Sequence, residues 1–80
     1  MGSAMARPIY QIATEIRKDW KPVYFGAAPY LDAMCSLREI TDEYGHDSAR
    51  SIVLYFLSNA ATWRGPIARE LKKELNDLVK

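Results

Sequence analysis

Few side chains in this chain could do covalent chemistry. Its 80 residues hold one histidine, His46, and one cysteine, Cys35. Any Ser–His–Asp site would have to be built on His46. Yet Ser48, Ser51 and Ser58 lie in no Gly-x-Ser-x-Gly elbow and beside no glycine-rich phosphate loop. Glu43-x-x-His46 has the spacing of a carboxylate–imidazole pair that binds a di-iron centre from one helix. Gly45 falls between the two and no second pair exists, so the sequence predicts a polar turn with His46 exposed, and no metal. On a helix, Cys35 shares a face with Asp32, Glu39 and Asp42, whose charges raise a thiol pKa and leave it unreactive. These residues point away from an enzyme and imply no cofactor.

The remaining candidates do contact chemistry. Asp32, Glu39, Asp42 and Glu43 fall together on one side of a helix predicted over residues 29–44, a row about 16 Å long at 1.5 Å rise per residue. Such a row could imitate phosphates and occupy a basic groove on another protein, although a charge run is more often a solvated helix face. Arg64, Arg69, Lys72 and Lys73 form a basic edge that could follow a nucleic-acid backbone. Interleaved Glu70, Glu74 and Asp77, and a formal net charge of +1, argue against nucleic acid as the partner. Trp63-Arg64-Gly65 joins the two residue types most enriched at interface hot spots. The phase of Trp63 matches Ile52 and Phe56 and assigns it to the core, leaving Arg64 as the contact residue.

Four helices must position these groups. Pro8, Pro22, Pro29, Gly45 and Gly65-Pro66 mark the joints. The first helix, over 8–20, carries the stripe Ile9, Ile12, Ala13, Ile16 and Trp20. The second, over 29–44, buries Tyr30, Ala33, Met34, Leu37, Ile40 and Tyr44 and ends on Gly45 as a left-handed cap. The third, over 47–62, starts on Asp47 as N-cap. It is apolar nearly all the way round between Ile52 and Leu57, which predicts a helix covered on most sides. Asn59 then reads as a buried amide needing a partner such as Tyr30 or Tyr44. The fourth, from Pro66 onward, buries Ile67, Ala68, Leu71, Leu75, Leu78 and Val79. The expected fold is all-α: a compact four-helix bundle around a central, mostly buried third helix. Tyr24 and Phe25, in the connection over 21–28, are expected to pack as a lid.

Residues 1–4 read as an expression remnant and residues 5–80 as one helical domain. An apolar fraction of 49% with 26% charged residues is globular composition and excludes a disordered or low-complexity chain. No run approaches the roughly eighteen apolar residues of a membrane span, so no membrane partner is expected. A lone thiol fits a reducing cytoplasm. Three amphipathic neighbours leave apolar surface open around Leu54, Leu31 and the Tyr24-Phe25 loop, and a second copy of the chain is the simplest cover for it.

The stretches Asp19-Trp20-Lys21-Pro22-Val23-Tyr24-Phe25-Gly26-Ala27 and Ser48-Ala49-Arg50-Ser51-Ile52-Val53-Leu54-Tyr55-Phe56-Leu57, with Thr62-Trp63-Arg64-Gly65 before a basic amphipathic helix, resemble a family of small phage and prophage proteins. The resemblance runs from Ile9 to Val79 and carries no activity or site residue. It implies a phage-related origin, a cytoplasmic location in a bacterial host, and action by binding a host or phage macromolecule. The sequence therefore predicts a non-enzymatic protein-binding module with an unidentified protein partner. The alternatives are an acidic phosphate mimic inhibiting a host nucleic-acid-binding or defence protein and, third, direct nucleic-acid binding through the last helix.

Overall fold

Pro8 and the Lys21-Pro22 pair bracket the first helix as predicted: α1 spans Ile9–Asp19, with Pro8 extended at its N-cap. The computed structural model describes residues 7–80, so the remnant assigned to residues 1–4 lies outside the described residues. Ile9, Ile12, Ala13 and Ile16 are buried along one face of α1. No side chain caps its N-terminus. Instead the amides of Ile9 and Tyr10 donate to the carbonyls of Arg38 and Leu37, at 2.9 and 2.8 Å. A distant stretch of backbone thus satisfies two of the orphan donors that every helix start exposes.

That contact explains the largest departure from the sequence prediction. The second helix, α2, covers only Ala28–Met34 and does not continue to Tyr44. Cys35, Ser36 and Leu37 close tight turns back onto Asp32, Ala33 and Met34, and the chain then leaves helical geometry to reach α1. One Asp42 carboxylate oxygen accepts the amides of Arg38 and Glu39 at 2.9 and 3.1 Å. An aspartate that captures nearby backbone donors competes directly with the helix ladder. The predicted stripe survives only in part: Ala33, Met34 and Leu37 are buried, while Tyr44 is exposed.

In place of the missing turns stands a small hairpin, a departure from an all-α fold. Strand β1, Glu43–Tyr44, pairs antiparallel with β2, Asp47–Ser48, with Glu43 opposite Ser48 and Tyr44 opposite Asp47. Gly45 does adopt a positive φ of 64°, but in the two-residue hairpin turn and not as a helix cap. His46 beside it is exposed, and its φ is not positive. Positive φ at the first turn residue alone is the pattern of a type II′ turn.

Helix α3 spans Ala49–Ser58, shorter than predicted at both ends. Ser48, not Asp47, is the N-cap, its hydroxyl accepting the Ser51 amide at 3.1 Å. Ala49, Ile52, Val53 and Phe56 form a single buried stripe, whereas Leu54 and Tyr55 are exposed. The third helix is therefore not the wrapped centre of the molecule. Helices α1 and α3 each pack against both α2 and the fourth helix, α4, Pro66–Val79, and all four line one core. Its neighbours cover one face of α3, and Leu54 and Tyr55 on the other side stay outside.

At the centre of the core, Trp20 and Trp63 stack at 5.5 Å between ring centroids, and Phe56 meets both edge-on at 6.2 and 6.3 Å. Arg7 bridges Glu15 of α1 and Glu74 of α4, which together raise its pKa, Glu74 more strongly. Arg50 donates to the carbonyl of Val79 at 2.9 Å and so caps the end of α4. A radius of gyration of 11.6 Å matches the roughly 12 Å of a folded chain this long. Among the described residues, no helix is long and apolar enough to cross a membrane.

Candidate functional site

The acidic row does not exist. With α2 ending at Met34, Asp32 lies on a different element from Glu39, Asp42 and Glu43. Asp32 forms an ion pair with Arg17, whose guanidinium also reaches the sulfur of Cys35 at 3.5 Å. Cys35 first, then Asp32, holds the Arg17 pKa above its usual value. The thiol therefore faces an arginine across the helix pair, not the Glu39 and Asp42 carboxylates of the predicted face. Asp42 is engaged by the Arg38 and Glu39 amides, which lower its pKa below the ordinary aspartate value. Glu39 and Glu43 are exposed, Glu43 on the hairpin.

The basic edge, by contrast, is partly gathered. At the joint between α3 and α4, Trp63, Arg64, Gly65, Ala68, Arg69 and Lys72 line a concavity of about 290 Å3. Gly65 makes it: its φ of 115° and ψ of 174° turn the chain sharply before Pro66 starts the helix. The Lys72 ammonium donates to the Trp63 carbonyl at 2.7 Å and stands 5.7 Å above the Trp63 ring. Burial, and then the nearby Arg64 charge, lowers its pKa. Lys73 is not part of this group; it points along the outer face of α4 to Asp77, 3.3 Å away, which it holds below the ordinary carboxylate pKa. Trp63 itself is core as expected, but not by helical phase, since α3 ends at Ser58: it is 2% exposed in the segment after the helix, with its indole N–H donating to Asp19 at 2.9 Å.

A second surface is aromatic. The Tyr24-Phe25 segment is no lid, since Phe25 is 81% exposed. Gly26 sets this outcome. A Cβ there would lie 2.6 Å from the Tyr24 ring and 3.2 Å from the Asn59 side-chain oxygen. A glycine leaves room for the Tyr24 ring to fold back over the backbone, and Phe25 stands outside, edge-on to it at 5.0 Å. The loop is held by the amides of Ala27 and Ala28, both donating to the Tyr24 carbonyl. Asn59 is a half-exposed helix end, not the predicted buried amide, and it donates to the Tyr55 carbonyl at 2.9 Å. Tyr55, 51% exposed, lies beside Tyr30 at 5.5 Å. The Tyr24–Phe25 pair and the Tyr30–Tyr55 pair are linked through Asn59, whose side chain lies beside Gly26 and donates to the Tyr55 carbonyl, and the two pairs together make an aromatic ridge on the α2–α3 side. Leu31, expected in this open patch, is buried, and Ile67, expected in the core, is exposed. Tyr24, Phe25 and Tyr30 on either side of Gly26 were the signal available in the sequence; the fold-back of Tyr24 and the approach of Tyr55 from α3 were not.

Among the described residues, no group of three or more His, Cys, Asp or Glu side chains is placed to hold a metal ion. Comparison of the chain with family models, with curated proteins and with solved structures returns no match.

Proposed function

We propose that this chain is a small, non-enzymatic protein-binding module whose contact surface is the Tyr24–Phe25–Tyr55 ridge, with Phe25 as its anchor. The observation that carries this reading is the exposure of a phenylalanine on a braced loop. Leaving such a ring in water forgoes about 1.5–3 kcal/mol of burial, which a partner with an apolar pocket recovers. The loop backbone is already ordered, so little conformational entropy opposes docking. At roughly 200 Å2 per aromatic side chain, the exposed parts of the three rings come to about 350 Å2. A stable complex needs about 800 Å2 per partner. The ridge has the size of a hot-spot anchor within a larger contact. The resemblance to small phage proteins supports a phage origin and a partner in the cytoplasm of a bacterial host.

A photoreactive phenylalanine analogue at position 25, expressed in the host, tests the reading. The expected result is one discrete foreign adduct that disappears when Tyr24 and Tyr55 are changed to serine. The same background from position 25 and from exposed Lys18 overturns it. An adduct between two copies of the chain replaces the foreign partner with a homodimer.

A further inference from the structure

We infer that the Arg64–Gly65–Lys72 concavity binds the dianionic phosphoryl group of a small phosphate monoester or of free phosphate. Three cations, Arg64, Arg69 and Lys72, line one hollow, and no carboxylate is among its lining residues. Among the described residues, none of the three enters an ion pair, unlike Arg7, Arg17, Lys73 and Lys80. Lys72 is fixed in place, because one of its three N–H groups is held by the Trp63 carbonyl. Two donors remain for a ligand. Arg64 and Arg69 add planar guanidinium forks suited to tetrahedral oxyanions. An anion in the hollow relieves the mutual repulsion of the three charges, which is already felt at Lys72 through Arg64.

The same residues decide which phosphate. The hollow, at about 290 Å3, sits at the lower edge of the roughly 300–1,000 Å3 of small-molecule sites. Trp63 is its only aromatic, and Trp20 and Lys72 already lie against that ring, so no platform is left for stacking a base. A nucleic-acid strand needs many separated phosphate contacts. Beyond these three cations, α4 presents Glu70, while Lys73 and Lys80 are paired with Asp77. The site takes one compact dianion, not a polymer.

The test is an NMR titration at constant ionic strength with inorganic phosphate in one arm and glycerol phosphate in the other, sodium chloride being exchanged to balance. The amides of Arg64, Gly65, Ala68 and Arg69 should shift in a saturable, one-site manner in at least one arm; the arms separate free phosphate from an ester. Arg64→Gln and Arg69→Gln change exposed residues and should each leave the melting curve unaltered while weakening binding about tenfold. Shifts that chloride reproduces, that fail to saturate, or that persist in the double variant overturn the inference. So does single-stranded DNA that binds the same residues more tightly than either phosphate.

Discussion

Phe56→Ala removes the ring that both tryptophans meet edge-on. Phe56 is fully buried, with centroids 6.2 Å from Trp20 and 6.3 Å from Trp63. Truncating a buried phenylalanine costs about 3–5 kcal/mol. Each edge-to-face pair adds about 0.5–1.5 kcal/mol beyond area burial, which places this site in the upper half of that range. A chain of this length has roughly 4–12 kcal/mol in total. At about 4–8 °C per kcal/mol for a domain this small, the melting temperature should fall by roughly 15–40 °C. Thermal melts followed by far-ultraviolet circular dichroism read that fall directly. Fluorescence of the two tryptophans, Trp20 and Trp63, should report the same transition. Phe56→Leu keeps much of the apolar volume but loses both edge-on ring contacts, and should cost less than Phe56→Ala while still destabilising. If Phe56→Ala melts within a few degrees of the parent, the three rings do not form the centre of the core and the packing described here is wrong.

Asp19→Ala leaves the buried Trp63 indole N–H without its acceptor and should cost about 1–3 kcal/mol in urea unfolding, with Asp19→Asn retaining most of the stability. Gly65→Ala should cost about 1–3 kcal/mol, because φ 115° with ψ 174° is a glycine-only conformation and no neighbour offsets the strain. Asp42 is held below its ordinary pKa by the Arg38 and Glu39 amides, so folding favours its charged form. Its contribution is therefore complete above the ordinary aspartate pKa and is lost as pH falls through the lower folded value. The Arg38 and Glu39 amide signals should track that loss, and Asp42→Asn should abolish the dependence.

Local signals located most of the helices. Pro8, Pro22 and Pro66 constrain the chain within a residue or two, so the bounds of α1 and the start of α4 followed from sequence. Between Tyr30 and Tyr44 the helical spacing was present but outcompeted. The carbonyls of Leu37 and Arg38 are needed at the start of α1, and the Asp42 carboxylate takes the amides that a longer α2 would use. Both are contacts between distant segments or unexpected turns, which periodicity does not report. Helix α3 is less buried than its composition implies for a different reason. Apolar character all round a helix says what is favourable to bury, not whether neighbours exist to cover it, and Leu54 and Tyr55 remain outside. Arg64, Arg69 and Lys72 were recognisable as a basic edge. The hollow they share depends on the backbone direction at Gly65, and the separation of Lys73 on its pairing with Asp77.

The chain has only two phenylalanines, and they stand at opposite extremes: Phe56 at the centre of the core and Phe25 uncovered on the ridge. A soluble paramagnetic agent broadens the proton signals of groups at the surface and spares those inside. In the free protein, the Phe25 ring signals should broaden as strongly as those of exposed Ile67, while the Phe56 ring stays sharp. A Phe25 ring protected to the level of Phe56 would mean that the chain or a second copy already covers it, and would contradict the proposed docking surface.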